Sequence, residues 1–464
     1  MRGPGIADRL RSLYAGDAES FYTADRRVGL LFGAMSLTAT QVSAGTLIGT
    51  IGIHYTVGIG FGLIWLGIWA GWLTSMLFVG PQLRAEGGYT VANYLASRFG
   101  TGDGHVRAVA AAFIASIYLV YTTAQYVAGG ILFRAVFGIG QFVGICLVVA
   151  LVLSYTVVGG MQFSVYSDVI QVMVLVGGLG LATGAGVLDI GGPTALTDAA
   201  TDIDPQLLSP AAAPTLTLGL ALSFGFGITV APFELSRVYA MQNPQTVRRA
   251  IPIAVLIQAV IAVCVATLGL LARVRFPDLG TPDAAVTELA LGLFGPVVGG
   301  LLLLAVVAAI LSTVDSVLLV TSASVSSDLY AKALPALGVL DASPDDRQLA
   351  RVGQGATVLA AVVPLAFALF SGWLGELVQR IVALYTSLLA GTLFVPVVGG
   401  LHWSAATKRG ALGGMVAGFC SVGAWQVLRV WGMANDVTQA VDPVVPGLLC
   451  SLVTFVSLSW RAGG

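Results

Sequence analysis

The chain has 464 residues, of which 57% are apolar and only 10% charged, with a formal net charge of −1. A soluble domain typically carries about a quarter charged residues, so this composition cannot clothe a water-exposed surface of this size, and lipid is the solvent it fits. Near-zero net charge excludes nucleic acid as a partner, and the glycine content (59 residues) suits closely packed membrane helices.

Residues 1–28 are polar, lack the apolar stretch of a cleavable signal and are read as a cytoplasmic segment. A spanning helix needs about 20 mostly apolar residues. That window places twelve of them, at 29–53, 59–82, 108–133, 139–158, 166–188, 215–241, 250–272, 291–326, 352–371, 375–400, 410–430 and 443–460. With both termini cytoplasmic, most Lys and Arg, Arg237 among them, fall on the inner side. Only Arg134, Arg273, Arg275 and Arg429 fall outside, and Arg380 sits within a helix. The segment 190–214 holds acidic but no basic residues, as an external loop can. Cys146, Cys264, Cys420 and Cys450 lie in apolar runs with no metal or disulfide spacing. The longest polar stretch, 332–350, is too short to fold alone, which argues against a sensor with an output domain. No cluster of acid, base and nucleophile suggests an enzyme, and no obligatory protein partner is evident.

Polar residues inside the spans are costly and mark function. The first helix carries a hydroxyl-, amide- and glycine-rich middle, Thr38 to Thr46, and the sixth holds Gly225, Gly227 and Pro232 in mid-membrane. Both are expected to unwind there. They stand five helices apart, as in carriers built from inverted repeats, whose broken helices present carbonyls to ions near the midplane; kinks used only for packing are the alternative. The halves are then 29–189 and 215–400, with 401–464 forming two peripheral helices. In the eighth helix Ser312 and Thr313 stand one turn after Ala309 and just before Asp315. Their oxygens suit a hard cation such as sodium, although such hydroxyls also bond the carbonyl four residues back. Asp168, Glu234, Asp315, Glu376 and Arg380 are the charges inside the spans. Titration of Asp168 or Asp315 is what a proton-coupled carrier of the same architecture would use.

These residues carry a resemblance. ESFYTADRRVG, ATQVSAGTLIG, VVGGMQFSVYSDVIQ, APFELSRVYA, FPDLGTPDAAV, AAILSTVDSVLLVTSASVSSDLY and LFVPVVGGLHWSAATKRGALGGMVAG occur in order from about Glu19 onward. Together they resemble the sodium:solute symporter family, and the proline- and pantothenate-like branch more than the sugar branch. The resemblance implies an all-α membrane protein with a five-plus-five inverted-repeat, LeuT-like core and broken first and sixth helices. It also implies sodium-coupled symport of a small organic solute across the cell membrane. The sodium ion would meet the carbonyls of Ala39, Val42 and Ala309 and the hydroxyls of Ser312 and Thr313. Ser43 would lie where ion and solute meet, Asp168 and Asp315 along the inner ion path, and Phe233 between solute and cytoplasm. Capping of the fifth helix is the other role open to Asp168. Gln41, Gly45, Thr46, Tyr121, Gln125 and Tyr385 are the further pocket candidates. Gln41 replaces an aspartate of the proline-type members, and Gly45 and Thr46 replace sugar-type polar residues. The helix that precedes ESFYTADRR in relatives is not in this sequence, which leaves open a truncated start or a member without that peripheral helix. Arg380 either pairs with Glu376 on the helix surface or receives a solute carboxylate.

Overall fold

The computed structural model describes residues 22–100, 102, 104–340, 344–369, 378–433 and 435–460. Its elements are helices and turns, and each of the twelve expected segments is occupied by helix. The first is split into α1a (Leu30–Gln41) and α1b (Ile51–Val57, entered through the wide turn Gly45–Thr50). There follow α2 (Ile64–Thr74, extended to Ala85), α3 (His105–Phe137), α4 (Gln141–Ser154) and α5 (Gly160–Asp189). The sixth is α6a (Pro214–Thr229) and α6b (Pro232–Ala240); then come α7 (Pro244–Arg275), α8 (Pro296–Ala336), α9 (Asp346–Leu369), α10 (Val378–His402), α11 (Lys408–Val430) and α12 (Val444–Trp460). Among the described residues, eight helical stretches are long and apolar enough to cross a membrane, and the bent α6a–α6b pair makes a ninth. The α4 and α12 stretches are apolar but shorter, and α1 is interrupted.

Local chemistry sets these boundaries. Asn243 caps α7, its side chain accepting from the Thr246 N–H at 2.8 Å, and Pro244 follows at the first helical position, where no N–H is missed. Thr407 caps α11 in the same way, accepting from Gly410 at 3.2 Å. Between α4 and α5 the chain turns at Gly160 (φ 55°, ψ −162°), a conformation open in practice only to glycine.

Both predicted breaks are present, and both answer the same demand, that backbone groups freed inside a membrane find partners. At the first, Val42 is extended (φ −88°, ψ 115°). Nearby side chains take up the loose donors: Gly45 N donates to Ser43 Oγ at 3.1 Å, Ser43 N to Thr46 Oγ1 at 3.3 Å and Ala44 N to Gln125 Oε1 at 3.0 Å. At the second, Val230 and Ala231 leave helical geometry, α6b turns 41° from α6a, and Phe233 N donates to the hydroxyl of Tyr118 at 2.9 Å. α11 and α12 lie outside this arrangement and pack on α10 through Gly391, Gly418 and Gly447.

Candidate functional site

The break in α1 lies against α8. Ser312 Oγ is 3.3 Å from the Ala39 carbonyl and 3.2 Å from that of Ala309; Thr313 Oγ1 is 3.4 Å from the Val42 carbonyl and 2.9 Å from Ala309 O. All five residues are buried. Unwinding at Val42 is what frees its carbonyl, and that of Ala39, to point sideways instead of along the helix. The result is five oxygens from two helices in one dry group. Both hydroxyls donate to carbonyls, and a rotation about one bond turns those protons away and leaves an all-oxygen set for a hard cation.

Next to this group, α1, α2, α3, α6 and α10 line a narrow cavity. Of the predicted pocket residues it is lined by Gln41, Ser43, Gly45, Thr46, Tyr121, Phe233 and Tyr385. Two do not line it. Gln125 spends its carbonyl on the α1 break, and Arg380 is exposed on the far side of α10. Glu376, its possible partner, lies outside the described residues. The place expected of Arg380 is taken by its neighbour Gln379, which lines the cavity along with Thr50, Trp65, Ile68, Phe224, Val382 and Thr386. Among the described residues the wall carries no charged side chain. It does carry buried polar atoms without protein partners: Gln41 Oε1, Gln379 Oε1, Trp65 Nε1 and the Tyr385 hydroxyl. Unpaired buried groups cost about 1–3 kcal/mol each, so the cavity is built to be hydrogen-bonded by something that enters it.

The floor is aromatic. Tyr121 stacks on Tyr385 (4.0 Å between centroids), and Phe233 meets Tyr121 edge-on at 5.8 Å. Beyond it lies a second cavity, lined by Tyr22, Tyr89, Pro232, Ser236 and Ser324 among others. The first turn of α6b therefore separates the two. On the far side Tyr22 is hydrogen-bonded to Ser322 and Ser326 (2.9 and 3.0 Å), and Tyr89 to Ser327 (2.6 Å). At the opposite end Asp283, in the loop between α7 and α8, accepts from Val378 N at 2.9 Å and fastens the start of α10. Burial pushes its carboxyl up to about 6, and that N–H works in the other direction.

A buried ionic network underlies the oxygen group. Arg237, counted above among the cytoplasmic-side charges, is in fact buried. Its Nη2 reaches Asp168 Oδ2 (3.1 Å), Ser164 (2.9 Å) and Ser316 (2.6 Å), and its Nε reaches Thr40 Oγ1 (3.1 Å). Asp168 also accepts from Ser36 at 2.5 Å. It stands more than two turns inside α5, so it does not cap that helix. Asp315 accepts from Thr156 at 2.6 Å, and Ser316 donates to the Ser312 carbonyl at 2.8 Å.

Two broken helices five apart, an oxygen group at the first break and a cavity beside it define a secondary transporter of the inverted-repeat class. The chain belongs to the sodium:solute symporter family, whose model matches residues 21–418. It is a multi-pass membrane protein that carries a solute with sodium as the coupling ion. The high-affinity proline transporter of Bacillus subtilis is 28% identical over 94% of this chain and 92% of its own length. The sodium/pantothenate symporter of Escherichia coli is 28% identical over 94% and 89%. Among solved structures, a Na+-coupled sialic acid symporter in a substrate-bound outward-open state superposes with a TM-score of 0.77 at 17% identity, over 97% of this chain and 95% of that one.

Proposed function

We propose that the chain takes up a small organic solute of the amino-acid, organic-acid or pantothenate type across the cell membrane by alternating access, the solute in the cavity lined by α1, α2, α3, α6 and α10 and sodium in the adjoining oxygen group. The observation that carries this reading is the convergence of Ala39, Val42, Ala309, Ser312 and Thr313 beside a cavity whose polar atoms lack partners. The repeats 29–189 and 215–400 rock against one another; both termini face the cytoplasm. Phe233 and the tyrosines beneath it close the inner side. Asp168 and Asp315 receive the ion on its way in.

With no cationic side chain among the described residues of the cavity wall, a solute carboxylate is neutralised by the sodium ion next to Ser43 and not by Arg380. Sodium must then bind for an anionic or zwitterionic solute to bind, which is the coupling a symporter needs.

Uptake into proteoliposomes tests this, with labelled proline, pantothenate, short monocarboxylates and a sugar, each with and without an inward sodium gradient. Sodium-dependent uptake of at least one carboxylate solute is expected, abolished by Ser312→Ala with Thr313→Ala and unchanged by Arg380→Gln. Loss of uptake in Arg380→Gln, or uptake driven by a proton gradient without sodium, would overturn the reading.

A further inference from the structure

Glu234, third residue of α6b, is fully buried, and neither the oxygen group nor the solute cavity uses it. Its Oε2 accepts from Trp72 Nε1 of α2 at 3.1 Å; its Oε1 meets no donor. Among the described residues it has no ion-pair partner. The cation whose charge it feels is Arg237, which is already paired elsewhere. From α3 the facing titratable groups are the phenols of Tyr118 and Tyr121, and from α10 that of Tyr385. Arg237, one turn along α6b, is committed to Asp168 of α5, Ser316 of α8 and Thr40 of α1a. Asp315 of α8 is turned to Thr156.

A carboxylate with one hydrogen bond, whose neighbouring arginine is ion-paired with another carboxylate, is poorly tolerated inside a membrane. The remedy open to it is a proton. The second cavity lies at Pro232 and Ser236, on the face of α6b turned away from Glu234 and closed by Tyr22 and Tyr89, so Glu234 meets the inner solution only when α6b moves. The half-helix that carries Glu234 is also tied to the oxygen group: Arg237 fastens it to Thr40 and to Ser316, whose hydroxyl bonds the carbonyl of Ser312. What moves α6b therefore disturbs both.

We infer that Glu234 is a proton-binding site, neutral while α6b is packed shut and exchanging its proton with the inner solution when α6b moves, so that proton binding is linked to sodium binding. The exchange is simple acid dissociation, Glu–COOH to Glu–COO⁻ with the proton passing to water. The inference rests on the alternating-access reading above, but its test needs no solute, so the two can fail separately.

The experiment is infrared spectroscopy of the purified chain at neutral pH, joined to radiolabelled Na+ binding measured across pH. The carbonyl stretch of a protonated carboxyl group is expected in the wild type and missing from Glu234→Gln. It should be shifted in Trp72→Phe, which leaves the carboxyl in place and removes its hydrogen-bond donor. Wild-type sodium affinity should change with pH, by up to about tenfold per unit for one linked proton, and Glu234→Gln should flatten that dependence. The inference is overturned if neither variant alters the carboxyl region. It is equally overturned if wild-type sodium affinity ignores pH, or if Glu234→Gln follows pH as the wild type does.

Discussion

Arg237 and Asp168 show how a membrane interior handles charge. The pair is 69 residues apart in the chain and wholly buried, and each partner is also hydrogen-bonded to serine hydroxyls. Removing one partner of such a pair leaves an uncompensated charge and costs about 3–5 kcal/mol. Asp168→Asn and Arg237→Met are each expected to lower stability in detergent by about that amount. The double variant should recover part of the loss, because both charges leave together; thermal unfolding followed by tryptophan fluorescence measures it, and strictly additive losses would contradict the pairing. Glu234 obeys the same arithmetic with a different outcome. Burying a lone carboxylate costs several kcal/mol, while a place in the first turn of a helix returns at most about 2. The proton proposed for Glu234 removes that cost.

The elements that matter are the broken ones, and the sequence announced them because unwound backbone needs partners close by. Ser43 and Thr46 are the residues whose hydroxyls take the loose N–H groups of Gly45 and Ser43. Pro232 at the start of α6b is equally legible. What the sequence hid is rotational phase. Arg380 and Gln379 differ by one position, yet one residue turns a helix face by about 100°, and no nearby signal said which of the two faced inward. Arg237 was hidden for another reason: its partners come from helices distant in the chain, so a basic residue near a helix end reads as an interfacial charge.

The close approach of the wide turn Gly45–Thr50 to α10 yields a prediction at this scale. A methyl group at Gly49 would sit 2.8 Å from Gln379 Cβ and 2.9 Å from its backbone nitrogen. Overpacking of that kind costs about 1–3 kcal/mol, a roughly five- to hundredfold loss of the closed state. Gly49→Ala should therefore slow sodium-driven uptake by such a factor while sodium still binds; uptake at the wild-type rate would mean that the two helices do not need to meet.

For the whole molecule, the sodium gradient is sufficient for the work assigned to it. A potential of 100 mV supplies about 2.3 kcal/mol per charge, and a tenfold sodium gradient about 1.4 more. One sodium per solute thus supports accumulation of roughly several hundredfold. That coupling depends on the ion meeting α1 and α8 together, so the most direct measurement is radiolabelled Na+ binding to the purified chain. It compares the wild type with Ser312→Ala plus Thr313→Ala, and uses Arg380→Gln as a control. The account predicts saturable binding that the double variant loses, by about tenfold or more in affinity for hydroxyls that contact a charge, and that the control retains. Undiminished sodium affinity in the double variant would contradict it.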